Sequence, residues 1–195
     1  MDELRLALFC DYQEEGWPSM DLCADRLAEG LEQEQFKIEK IRPRFIRRWT
    51  RIPAASSSKF AINAARFCNR FYDYPRFAKE SAAAHDLFHI SDHSYAQLAL
   101  SLPGGRTGIY CHDLDTFRSV IAPETEPRPA WFRMMTQQIL AGFRKAAILF
   151  CSTSITKTAI EKHFPNELRR IVIAPLGISG VFQPQPAIPP SDEVR

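Results

Sequence analysis

With 195 residues, 45% of them hydrophobic and 25% charged, the chain has the composition of an ordinary globular protein and can bury one full core. Its net charge of +2 carries little information, and no nucleic-acid partner is expected. No apolar run approaches the roughly 18 residues of a bilayer span, and Met1-Asp2-Glu3 leads straight into a strand without the basic region and cleavage site of a signal peptide.

Cys10, Cys23, Cys68, Cys111 and Cys151 are odd in number, scattered, and free of any C-x-x-C pair. They read as reduced thiols of a cytosolic protein rather than a disulfide framework or a zinc knuckle.

Leu4 to Cys10 is nearly all apolar, as a central parallel strand should be. Ser19 is a good N-cap for a helix whose Met20, Cys23, Ala24, Leu27, Ala28 and Leu31 share one face. Phe36, Ile38 and Ile41 alternate with charged residues, giving a second, more peripheral strand that closes a βαβ unit.

Arg42 to Arg51 then holds five arginines interleaved with Phe45, Ile46 and Trp49. A solvated loop accounts for the charge alone; the interleaved apolar residues leave room for an anionic partner or a lipid headgroup surface. Through Ser56-Ser57-Ser58 this becomes a long connection, expected to be mobile at its centre. Lys59 to about Phe71 is helical by pattern, with Phe60, Ala64, Phe67, Cys68 and Phe71 on one side, and Tyr74-Pro75 marks a break.

A third strand, Asp86 to Ile90, exits into Ser91-Asp92-His93-Ser94 and a short helix through Leu102. Thr107 to Arg118 opens as a fourth strand, Gly108 to Cys111, and turns abruptly polar at His112, Asp113, Asp115 and Arg118. Beyond the Pro-rich 123–129 stretch comes a long helix, Trp131 to Lys145, with Trp131, Met134, Met135, Ile139 and Phe143 as packing residues. Ala147 to Cys151, a helix from Ile155 to Phe164, and Arg170 to Ala174 complete six strands alternating with helices. The expected fold is α/β: a Rossmann-like, doubly wound, mostly parallel sheet over residues 1–175, with 176–195 as a linker and tail.

In such a sheet ligands bind beyond the carboxyl ends of the strands. Three loops there, Asp11–Pro18, Ser91–Tyr95 and His112–Arg118, supply Glu14, Glu15, Gly16, Asp92, His93, His112, Asp113, Asp115 and Arg118. His112, nearest the strand end, is the candidate closest to the chemistry. Gly16 before a helix start would let backbone N–H groups approach a phosphate, although neither G-x-G-x-x-G nor G-K-[ST] is present. Asp113 and Asp115 can each cap the following turn, Asp115 with the stronger claim. His89, Asp92, His93, His112, Asp113 and Asp115 also admit reading as a metal cluster, but His89 and His93 lie on a strand and its exit loop rather than on one helix face, and no metal is expected. His85 and His163 are expected at the surface.

Three stretches together resemble the N-terminal domain of a retaining GT-B glycosyltransferase of family four. They are Glu-Gly-Trp-Pro-Ser-Met after the first strand, Tyr-Cys-His-Asp-Leu-Asp-Thr-Phe-Arg around His112, and Ile-Val-Ile-Ala-Pro-Leu-Gly-Ile-Ser-Gly-Val-Phe-Gln-Pro near the end. The last is similar to that family's interdomain crossing, and the resemblance runs from Leu4 to Pro184. It implies one half of a two-domain hexosyltransferase-type enzyme that moves a sugar from a nucleotide-sugar to a sugar, lipid or protein acceptor with retention. The donor is a substrate, and no cofactor is implied. This half would be the acceptor side and inactive alone, since the family's C-terminal half binds the donor and carries an E-x7-E pair.

By position, the resemblance makes His112 the catalytic-site residue and places Gly16 and Trp17 in the donor-side loop. Asp92, His93, Asp113, Arg118, Arg47 and Arg48 would face the substrates. Where the family often has two adjacent glycines, this chain has Glu15 and a single Gly16. The implied setting is cytoplasmic, with peripheral contact to the inner membrane face through Arg42–Arg51. Two other classes stay open: a non-catalytic module for a glycan, nucleotide or anionic ligand, and a metal-dependent hydrolase.

Overall fold

The computed structural model describes residues 4–34, 36–48 and 58–177. The proposed linker and tail lie outside the described residues from 178 onward, as does the 49–57 centre of the basic connection.

Six strands form one sheet: β1 (Arg5–Phe9), β2 (Lys37–Ile41), β3 (Leu87–Ile90), β4 (Thr107–Cys111), β5 (Ile148–Cys151) and β6 (Ile171–Ile173). Their order is β2-β1-β3-β4-β5-β6 and every pair is parallel, so the doubly wound expectation holds and the sheet is parallel throughout. The chain winds outward from β1 to β2, then returns to the other side of β1 to lay down β3. That reversal opens a crevice beyond the carboxyl ends of β1 and β3. Leu6 to Phe9 are buried while β2 buries only Ile41, as a central and an edge strand should.

Helix α1 (Pro18–Gln33) starts two residues earlier than its sequence suggests, with Trp17 rather than Ser19 at the N-cap. Pro18 provides the preset φ of a first helical residue and has no N–H to leave unpaired, so the start needs no side-chain cap. Ala24 and Ala28 pack it against Leu8 and Cys10 of β1.

The predicted break at Tyr74-Pro75 is not a break. Helix α2 (Lys59–Cys68) passes through a π-helical turn at Asn69–Asp73 into α3 (Tyr74–Ser81), and Tyr74 keeps helical angles of φ −65° and ψ −46°. The wider turn absorbs the proline, and the Arg70 carbonyl accepts from Gln97 Nε2 at 3.2 Å instead. Tyr74 is fully buried, and its single O–H is shared between the carbonyls of Cys10 (2.6 Å) and Ile41 (2.8 Å), tying the ends of β1 and β2 together.

The segment after β3, His93–Ser101, is a 3-10 helix rather than an α-helix. Against it lies the long helix α5 (Ala130–Lys145), which follows the short α4 (Arg118–Ile121); α6 (Ser154–His163) comes after β5. Gly142 makes the close approach possible, because a Cβ there would overlap the Ala96 carbonyl and come within 2.8 Å of Gln97 Cα. Ile139, Leu140 and Phe143 join the main core, but Trp131 and Met134 do not: they are 62% and 67% exposed. The reason is length. Sixteen residues of helix span about 24 Å, against about 13 Å for a four-residue strand, so the N-terminal turns of α5 overshoot the sheet edge.

All five cysteines are free thiols, and Cys10, Cys111 and Cys151 are buried. His85, expected at the surface, is buried; its ring bridges the Ser81 carbonyl (Nδ1, 2.9 Å) and Glu39 (Nε2 to Oε2, 3.1 Å). Among the described residues no helix is long and apolar enough to cross a membrane.

Candidate functional site

The crevice is filled by acids and histidines delivered at successive strand ends. Asp11 follows β1, Asp92 and His93 follow β3, and His112 and Asp113 follow β4. Asp92 caps the 3-10 helix, accepting from Ser94 N–H at 2.9 Å and from the Ser94 hydroxyl. His93 lies between two carboxylates, Nδ1 at 3.1 Å from Asp92 Oδ1 and Nε2 at 3.5 Å from Asp113 Oδ1. The contacts are ionic ones, since neither nitrogen points along a hydrogen-bond direction. Burial alone would favour a neutral ring; the Asp113 and Asp92 carboxylates outweigh it and raise His93 to about 9. Burial likewise opposes ionisation of Asp92, but His93 and the Ser94 donors hold it well below the usual carboxylate range.

Asp11 takes the opposite state. It is buried, neither oxygen has a donor among the described residues, and burial with the adjacent Asp92 charge raises it to about 8. Two carboxyl groups sharing one buried space cannot both ionise cheaply, so the proton stays on Asp11. Asp11 was not legible as a site residue except as an acid placed just after a nearly all-apolar strand.

His112 is half-buried at the end of β4, with Nε2 at 3.0 Å from the Ser91 carbonyl. A carbonyl only accepts, so Nε2 carries the proton and Nδ1 is left as an acceptor. Burial lowers the His112 pKa, outweighing the Ser91 contact, and the ring is neutral near pH 7.

Arg70 braces this wall. It reaches Glu15 Oε2 at 3.4 Å, donates to the Ser94 carbonyl, and lies over the Tyr95 ring at 4.2 Å. The Glu15 carboxylate therefore has a cationic partner. Gly16 has φ +74°, a left-handed conformation that closes the turn Gln13–Glu15 and favours glycine.

Above the crevice lies an open cleft of about 1440 Å³. Its polar end holds Asp92, His93, His112 and Asp113, and Glu15, Trp17 and Asp115 also line the cleft, so seven of the predicted residues meet there. Gly16 sits between two lining residues without lining the cleft itself. Arg47, Arg48 and Arg118 stand outside the lining: Arg47 is exposed, Arg48 pairs with Asp73 at 2.8 Å, and Arg118 pairs with Asp115 at 2.8 Å. Arg42 is likewise paired, with Asp21. The capping roles are the reverse of expectation: Asp113 Oδ1 accepts from Asp115 N–H at 2.8 Å, because the acid two residues ahead of the turn's N–H is the one in reach.

Among the described residues no group of three or more His, Cys, Asp or Glu side chains is arranged to hold a metal ion. His89 instead packs on the Phe150 ring at 5.4 Å, and burial drives its pKa down to about 4.

Fold and site together define an α/β protein with a polar crevice at the reversal point of a parallel sheet, opening into a broad cleft. No known protein family matches the chain, and no curated protein does.

Proposed function

We propose that this chain is the acceptor-side half of a glycosyltransferase that takes a sugar from a nucleotide-sugar with retention. The observation that carries the proposal is His112: a neutral imidazole, fixed by the Ser91 carbonyl, at the polar end of a cleft much larger than a sugar. A group held in that state accepts or relays a hydroxyl proton and hydrogen-bonds a sugar without adding charge beside an oxocarbenium-like transition state. The carboxylates of Asp92 and Asp113, each beside His93, give that end hydrogen-bond acceptors for sugar or acceptor hydroxyls. The Ala-Pro-Leu-Gly-Ile run following β6 supports the same reading through its resemblance to an interdomain crossing.

A metal-dependent hydrolase is not proposed, because Asp92, His93 and Asp113 are engaged with one another, His112 with the Ser91 carbonyl, Asp115 with Arg118, and His89 packs on Phe150. A binding module without turnover is the outcome if chemistry is absent.

The test is sugar transfer from a panel of labelled nucleotide-sugars by the complete gene product. His112→Ala should lower kcat about 100-fold or more, with little change in donor KM. Transfer that proceeds unchanged would remove His112 from the chemistry, and no transfer or hydrolysis from any donor would remove the transferase reading itself.

A further inference from the structure

The apolar face predicted for α2 is real, but it faces the cleft rather than the core. The residues of α2 that pack inward are the small ones, Ala61 and Ala65. Phe60 and Phe67, 83% and 48% exposed, line the cleft instead. On α5 the overshooting turns contribute Trp131 and Met134 to the same cleft. Two helices thus turn Phe60, Phe67, Trp131 and Met134 to one shared space that no part of the core fills, and that space runs on to the His112 end. Contiguous exposed apolar surface of this kind marks a binding site.

Charge indicates the occupant. The acids lining the cleft have cationic partners: Glu15 has Arg70, Asp92 and Asp113 share His93, Asp115 has Arg118, and Glu126 has Arg128. Arg66, next to Phe67 in the lining, has no acidic partner among the described residues. The cleft therefore combines a hydroxyl-binding polar end, where two carboxylates share the single charge of His93, with apolar walls where the guanidinium of Arg66 has no acidic partner of its own among the described residues. We propose that it binds an amphiphile, a lipid with an apolar chain and a hydroxylated, anionic head, with the chain between α2 and α5 and the anion at Arg66. That this lipid is the sugar acceptor rests on the transferase reading; that it binds does not.

The experiment is calorimetric titration of the 195-residue chain, without any nucleotide-sugar, with myristoyl lysophosphatidylglycerol below its micelle concentration. The lipid should bind at least about tenfold more tightly than glycerophosphoglycerol, which has the head without the chain, and than monomyristoylglycerol, which has no anion. Phe67→Asp and, separately, the more exposed Phe60→Asp should each weaken it about tenfold in protein whose melting temperature is unchanged, and Arg66→Gln should weaken it about threefold. Equal binding of the chainless head, of the uncharged lipid, or by the folded Phe60→Asp variant would overturn the proposal. So would a chain that dimerises through this face and loses the dimer on Phe60→Asp. Transfer to a water-soluble acceptor without lipid binding would sink this proposal alone; lipid binding without any transfer would sink only the enzymatic one.

Discussion

The two sides of the sheet's carboxyl edge are built from opposite materials. At β1, β3 and β4 the exit loops bury Asp11, Ser91, Asp92 and His93, with His112 half-buried beside them. At β5 and β6, among the described residues, no polar side chain is buried, and Ile155, Val172 and Ile173 face outward at 81%, 45% and 43% exposure. The strands themselves are alike, short and parallel in both places. What differs is the winding. At β1 and β3 the connections leave toward opposite edges of the sheet and cannot cover the gap between them, so polar side chains fill it. From β5 to β6 the chain keeps moving the same way, and α6 with its cap closes the edge. Chemistry is placed by topology before any single residue is chosen.

The sharpest way to break this contrast is to remove the cation that holds the polar side together. His93→Ala leaves the buried Asp92 and the exposed Asp113 without their positive partner. Stripping one member from a buried ion network costs about 3–5 kcal/mol. Urea unfolding at neutral pH should show that loss. A change near zero would mean that the ring fills space only, and that the polar side is no more interdependent than the β5–β6 edge.

How much of this was legible from sequence follows from which forces act locally. The six strands and their alternation with helices were readable because a strand buried on both faces must be apolar along its whole length, as Leu6 to Phe9 are. The loops bearing Asp92, His93 and His112 were readable because each begins where such a run stops. Asp11 was missed because its importance comes from the neighbouring Asp92, eighty-odd positions away in the chain, and periodicity carries no such information. Trp131 and Met134 read as packing residues, and Phe60 and Phe67 as one side of a helix, since a helical pattern identifies a face without saying whether core or cleft lies opposite it. The helix through Pro75 was missed because a π turn and a borrowed donor from Gln97 are tertiary remedies.

A smaller effect separates the two sides by pH. The Asp11 carboxyl titrates at about 8 in the folded chain, against about 3.9 for an unperturbed Asp when unfolded. Between those values the folded protein holds a proton that the unfolded chain releases. Stability from this group is therefore fully present below pH 4 and is lost as pH rises through 8. Asp11→Asn keeps a neutral donor beside Asp92 at every pH and escapes the loss. The variant's advantage over the wild type should grow by about 1.4 kcal/mol per pH unit between pH 5 and pH 8 and level off above that, read from urea midpoints. His93, raised to about 9, pulls stability down in the same alkaline direction from its ordinary value upward, but it does so in both proteins and cancels in the difference. Parallel pH profiles for the two proteins would show that Asp11 does not hold the proton.

The β5–β6 edge supplies the smallest effect and the control for the others. Thr153 Oγ1 accepts from the Thr156 N–H at 3.1 Å and caps α6 from an exposed position. Thr153→Ala removes that acceptor and should cost about 1 kcal/mol, while Thr153→Ser keeps the oxygen and should cost a few tenths. Neither group titrates, so the loss should be the same at pH 5 and pH 9. A cost that grew with pH, or that approached the His93→Ala value, would mean that this edge is coupled to the buried acids after all. Thr153 Oγ1 also meets the Thr156 hydroxyl at 3.1 Å, and that hydroxyl donates to the His112 carbonyl at 3.3 Å, so the contact between the cap and the polar side runs through a backbone carbonyl that does not titrate.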